Sequence, residues 1–245
     1  SNTMATGSLT WKNEQIQIGD TTLHLRQGGS GDALLVLHDE MGRTEPLRYA
    51  DGLAQNFSLQ MPALPGFGNT DRVEWIMSVR DLASWYLQVL DEMGLERVNV
   101  LGFSLGGWLA AEMASQSPST FNKMALVAPT GIKPDSSEIF DMFLVVAREY
   151  LEEGFLDTNA TPEYATAYPA EPSPELEELW EVAREEAARL TWRPLHVPGS
   201  TASFAGSIEK PADTLGLGRE RCDNPRQHWS AVPKGNPGIA FRNHC

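Results

Sequence analysis

Val98-Asn99-Val100-Leu101-Gly102-Phe103-Ser104-Leu105-Gly106-Gly107 is the stretch that decides the fold. Residues 98–101 are an apolar run of buried-strand type, and the Ala- and Leu-rich residues 105–114 predict a helix. Between them stands G-x-S-x-G. In isolation that pattern arises by chance in any Gly-rich turn; a strand before it and a helix after it give it meaning. So tight a turn forces the serine into strained backbone geometry, and Gly102 and Gly106 let strand and helix approach. The Ser104 hydroxyl is then expected at the carboxyl end of a sheet, above a helix N-terminus. The helix dipole and the Leu105 amide favour an oxyanion there, so Ser104 is the candidate nucleophile and Leu105 a candidate backbone oxyanion donor.

On either side, short apolar runs alternate with helical stretches. Residues 15–18 and 21–26 predict an antiparallel strand pair around Gly19-Asp20. Residues 33–37, 57–61 and 124–127 are further buried-strand candidates, stopped by His38, Pro62 and Pro129. Residues 80–93 place Leu82, Trp85, Leu87, Val89 and Leu90 largely along one side of a helix capped by Gly94. The expected class is α/β, a mostly parallel sheet with helices on both faces. After Pro134 residues 139–151 and 174–192 predict helices with no strand between them, the second opened by an N-cap Ser173 and Pro174. We therefore expect a tag and disordered start at 1–13, a core at 14–133, a helical cap at 134–194 and an irregular tail at 195–245.

Composition narrows the function classes. A net charge of −14 and a pI near 4.7 make nucleic acid and anionic membrane poor partners, since both repel an acidic surface. The only thiols, Cys222 and Cys245, sit in the tail, which excludes a disulfide scaffold and fits a reducing compartment. No apolar run approaches a membrane span, and no signal-peptide pattern opens the chain; Ser1-Asn2-Thr3 before Met4 has the look of a cloning remnant. A cytoplasmic protein is expected. Without H-E-x-x-H or clustered His/Cys ligands outside the tail, neither metal nor cofactor is expected.

A second oxyanion donor is expected from the loop His38-Asp39-Glu40-Met41-Gly42, with the Glu40 amide best placed. His38, ending a buried strand, reads as a structural loop anchor. A carboxylate beside a developing oxyanion would oppose it. Either Glu40 points away, the favoured expectation, or it biases the pocket toward cationic or neutral substrates.

Together these residues resemble the α/β-hydrolase superfamily, in its capped esterase, lactonase and carbon–carbon hydrolase branch. The strand ending at His38, the Pro65-Gly66-Phe67-Gly68 loop with Asp71, the Gly102–Gly107 elbow and Val127-Ala128-Pro129 carry the resemblance, which spans roughly residues 14–194. One departure is Asp39, where the family usually has Gly. The resemblance implies a serine hydrolase of a small ester, lactone or related carbonyl compound: a base removes the Ser104 proton and water hydrolyses the acyl-enzyme. Met142, Phe143, Leu144 and Phe155 are candidate pocket-lining residues of the cap, although ordinary packing of cap on core explains them equally well. The alternative is a catalytically impaired relative that binds a small apolar ligand.

The resemblance fails in the tail. Family members continue with a strand ending in Gly-x-x-Asp and then a catalytic His; here His196, His228 and His244 stand in no such context. An uncovered sheet edge implies either a disordered tail or a homo-oligomer that shields it. If codons from about residue 195 are read one nucleotide later, residues 214–225 permit Arg-Leu-Val-Trp-Gly-Glu-Ser-Asp-Ala-Ile-Thr-Pro, a strand and an acid-bearing loop where the fold needs them. An out-of-frame tail predicts an insertion or deletion near the Pro194 codon relative to close relatives. Sequencing the coding DNA checks this, and an uninterrupted frame rules it out.

Overall fold

A computed structural model describes residues 9–45, 47–131, 142–155, 157–161 and 163–192, together with the backbone of 228–232 and 240–244. The predicted strands form, each slightly longer than its apolar run: β1 (Lys12–Ile18), β2 (Thr21–Gly29), β3 (Asp32–Leu37), β4 (Phe57–Pro62), β5 (Val98–Phe103) and β6 (Phe121–Val127). They make one mixed sheet in the order β1-β2-β4-β3-β5-β6. β1, β2 and β4 pair antiparallel, whereas β4, β3, β5 and β6 run parallel. Parallel strands need crossovers that cover the sheet, and alternation along β3 shows both faces covered. Leu35 and Leu37 belong to one apolar cluster, Leu34 and Val36 to the other.

The larger cluster receives helices α2 (Val79–Glu92) and α3 (Leu105–Gln116), and the smaller receives α1 (Arg48–Leu53), too short for its periodicity to show in sequence. α2 is bounded by side-chain chemistry: Ser78 Oγ accepts from the Asp81 amide at 3.2 Å while Asp81 Oδ2 accepts from the Met77 amide at 3.0 Å. At its other end Gly94, at φ +65°, turns the chain so that the Leu95 amide reaches the Leu90 carbonyl at 2.9 Å.

Beyond β6 the described elements are α4 (Ala147–Glu153), α5 (Tyr164–Ala167) and α6 (Pro174–Thr191). The helix expected over 139–151 is interrupted: a 3₁₀ turn at Met142–Leu144 is followed by Val146 in extended conformation. Consecutive β-branched Val145 and Val146 disfavour a continuous helix. The Val145 carbonyl instead accepts a bond from Arg184 of α6. α6 begins as expected, with Ser173 Oγ accepting from the Leu176 amide at 3.3 Å. In the tail, β7 (His228–Val232) and β8 (Ala240–His244) form an antiparallel hairpin of their own, where no strand rhythm was expected; among the described residues no strand after β6 joins the main sheet. The other readings on 195–245, the frame shift included, lie outside the described residues.

α6 is held by charge as well as by apolar contact. Trp180, Ala183, Glu186, Ala187 and Leu190 form its buried face, and Glu186 is fully enclosed among apolar neighbours. Its carboxylate accepts from Arg72 Nε at 2.7 Å, on the loop after β4, and from Arg189 one turn on. Arg189 also donates to the Ile76 carbonyl. Gly66, at φ +85°, lies directly against the Glu186 carboxyl, so a Cβ there would strike it. The Gly/Pro loop is therefore the seat of α6. Removing one member of a buried ion cluster strands the others. Glu186→Ala is expected to cost roughly 2–4 kcal/mol in denaturant unfolding, and a change below about 0.5 kcal/mol would show the network to be inert.

Candidate active site

Ser104 sits where β5 hands the chain to α3, at φ 47° and ψ −110°, a conformation that L residues rarely adopt. Three backbone bonds hold it there. Its amide donates to the Val127 carbonyl at 2.9 Å, and its own carbonyl accepts from Trp108 at 3.1 Å and Thr130 at 3.2 Å. The glycines around it leave no room for side chains. A Cβ on Gly102 would lie 2.5 Å from the Gly106 carbonyl oxygen, and one on Gly106 would enter the carbonyls of Leu37 and His38. α3 thus packs its first turn against the ends of β3 and β5. Ser104 is half-buried and Leu105 fully buried, which sets the Leu105 amide at the helix start beside the hydroxyl.

The loop after β3 closes the other side. His38 is buried, and both ring nitrogens are occupied by backbone: Nε2 accepts from the Leu64 amide at 2.9 Å, and Nδ1 donates to the Asp39 carbonyl at 2.6 Å. Burial lowers its pKa, so the ring is neutral. It anchors the loop, as the sequence suggested. Asp39 has a local role too. Its Oδ1 accepts from the Met41 amide at 3.0 Å and its carbonyl accepts from Gly42, at φ +73°, so an Asx-type turn stands where the family usually has Gly.

Glu40 corrects the favoured expectation. Its side chain does not point away; it is 6% exposed and turned inward, toward the space in front of Ser104. Burial, then the neighbouring Asp39 charge, push its pKa up to about 7, while the Ser104 hydroxyl and the amides of Glu40 and Leu105 act in the opposite sense. The carboxyl therefore lies where the expected oxyanion donors converge. Oε1 accepts the hydroxyl of Tyr150 from α4, and Oε2 is buried without a hydrogen-bond partner. Tyr150 was missed in sequence, being 110 residues from its partner with no local motif to announce it.

Around Tyr150 lies a third apolar cluster that joins the core loop to the later helices: Met41, Ala147, Leu151, Ala167, Tyr168 and Trp180, with Met142 and Phe155 packed against it. Of the four candidate lining residues, Leu144 is instead 82% exposed, and Phe143 lies on an outer groove with Val182 and Ala188 of α6. The other histidine with a described side chain, His24, sits on β2, three strands from β5 in the sheet order and so about 14 Å away at ~4.8 Å per strand. His196, His228 and His244 lie outside the residues with described side chains.

Strain at Ser104 implies that glycine suits the elbow better than serine does. Ser104→Gly is expected to raise stability by roughly 1 kcal/mol in urea unfolding, and a destabilised variant would show the bend to be relaxed.

The alpha/beta hydrolase fold family model matches residues 42–167, just over half of the chain. Among curated relatives, an uncharacterised protein of Mycobacterium tuberculosis is 32% identical over 116 residues, 47% of this chain and 34% of its own length. The chain thus spans only about a third of that relative. A fluoroacetate dehalogenase of Burkholderia sp. is 27% identical across 84% of this chain and 73% of its own. The structure superposes on 2-hydroxy-6-oxo-6-phenylhexa-2,4-dienoate hydrolase from Rhodococcus with a TM-score of 0.60 at 18% identity, covering 76% of this chain and 75% of that one. No described helix is long and apolar enough to cross a membrane. With its parallel strands, its strand–serine–helix bend and this match, the chain belongs to the α/β-hydrolase family.

Proposed function

We propose that this chain is a serine hydrolase acting on a small ester, lactone or related carbonyl compound, with Ser104 as nucleophile. The observation that carries the reading is the backbone of Ser104, held at φ 47° between β5 and α3 by bonds to Val127, Trp108 and Thr130. Strain of this kind persists only where surroundings enforce it, and here it aims a hydroxyl across a helix N-terminus. The Ser104 Oγ attacks the carbonyl carbon, the carbonyl oxygen takes up negative charge facing the Leu105 and Glu40 amides, and the alcohol portion leaves with a proton. Water then cleaves the acyl-enzyme. α4, α5 and α6 act as a cap, and the cluster of Met41, Phe155, Tyr168 and Trp180 forms the apolar wall that selects small substrates.

A second reading is a catalytically impaired relative that binds a small apolar ligand. It is favoured by one observation: a carboxyl occupies the oxyanion position, while His38 is committed to backbone. Loss of base and acid costs several orders of magnitude but leaves residual catalysis from the oxyanion hole. Labelling with a neutral fluorophosphonate separates the two readings. Rapid labelling that Ser104→Ala abolishes supports the serine hydrolase; labelling no faster than in the alanine variant supports the binding protein.

A further inference from the structure

The Glu40 carboxyl is an unusual occupant for this place, and its surroundings show that it is built in. It is enclosed, it receives the Tyr150 hydroxyl from α4, and its second oxygen is buried without a hydrogen-bond partner. The loop after β3 adds the Asp39 carboxylate, whose charge acts on Glu40 while its Oδ1 accepts from the Met41 amide. The elbow contributes the Ser104 hydroxyl and the Leu105 amide. From the segment after α5, Tyr168 feels the charges of Asp39 and Glu40. The guanidinium on this loop is turned to other partners, with only its Nε left buried and unbonded: Arg43 stacks 4.8 Å above the Tyr168 ring, donates to the Ala167 carbonyl and meets Glu45 at 3.6 Å. Among the described residues, Glu40 thus stands beside the hydroxyl with the Asp39 charge acting on it, and neither carboxyl is in an ion pair.

Resting on the reading of Ser104 as nucleophile, we propose that Glu40, positioned by Tyr150, is the specificity-determining residue of this site: it admits neutral and cationic acyl compounds and rejects those carrying a carboxylate near the reacting carbonyl. The reason is Coulombic. In a buried site, like charges a few ångströms apart repel strongly, and among the described residues no cation is paired with Glu40 or Asp39 to offset a substrate carboxylate. When Glu40 is protonated, its share of that repulsion disappears and its O–H can donate toward the substrate oxygen. Charge selection is therefore strong at alkaline pH and fades as pH falls through about 7. Tyr150 donates to the charged carboxylate and so favours it; without that hydroxyl the midpoint moves up.

The test compares p-nitrophenyl acetate with p-nitrophenyl hemisuccinate, which share a leaving group and differ by one carboxylate. Ser104-dependent nitrophenolate release and acyl-adduct mass are measured from pH 5.5 to 8.5 in the full chain and its variants. At pH 8.5 the acetate-to-hemisuccinate rate ratio is expected to be roughly tenfold higher in the native chain than in Glu40→Gln, converging at pH 5.5. Tyr150→Phe is expected to shift the midpoint of the ratio upward, a readout that lost packing alone would not move. If Ser104→Ala reacts as fast as the native chain, the nucleophile assignment itself falls. If reaction depends on Ser104 but the ratio is unchanged in a folded Glu40→Gln, the selectivity proposal is overturned and the nucleophile assignment stands.

Discussion

The close approach of α3 to the ends of β3 and β5 is the constraint on which the site depends. It is possible only because Gly102, Gly106 and Gly107 present no side chains where backbone meets backbone. Given that contact, the turn between β5 and α3 has no slack, and Ser104 must take up a left-handed backbone conformation. The hydrogen bonds to Val127 and Thr130 extend the constraint to β6, so three parallel strands share in holding one hydroxyl. Strain at one residue is offset by the burial of α3 between two layers, where Leu105, Trp108, Leu109 and Met113 are all enclosed. A helix with so little polar surface has no stable place except against the sheet.

Among the polar contacts that tie the helices after β6 to that frame are two buried carboxyls of opposite character. Glu186 is fully paired: two arginines satisfy it, and Gly66 lets the loop after β4 close over it. Glu40 is incompletely paired, with one oxygen bonded to Tyr150 and one bonded to nothing. Buried carboxyls that are fully partnered fix geometry, whereas partly partnered ones retain chemistry. The first locks α6 in place. The second leaves a titratable group beside the serine, with its pKa pushed up to about 7 by burial.

What was legible in the sequence was what a few consecutive residues impose. The apolar runs ending at His38, Pro62 and Pro129, the Ser173 cap, the Gly94 stop and the Gly102–Gly107 bend all arise from local backbone geometry and appear as expected. Where the local signal was weak or mixed, the reading slipped. The adjacent valines 145 and 146 broke a helix whose apolar pattern ran on, and the six residues of α1 were too few to show a period.

Tertiary structure alone decided where side chains point. Whether the Glu40 carboxyl faces water or the serine depends on Tyr150, 110 residues away, and on the apolar cluster that brings α4 over the loop. Likewise, Glu186 sits in a Glu-rich helix where nothing local distinguishes it from its exposed neighbours; only the docked loop, Arg72 and Gly66 make it interior. The chain's composition determined that a parallel sheet with a taut serine bend would form, because those features need only short-range sterics and apolar patterning. The character of the site was set by long-range packing, because a charge takes its energy from whatever surrounds it in space.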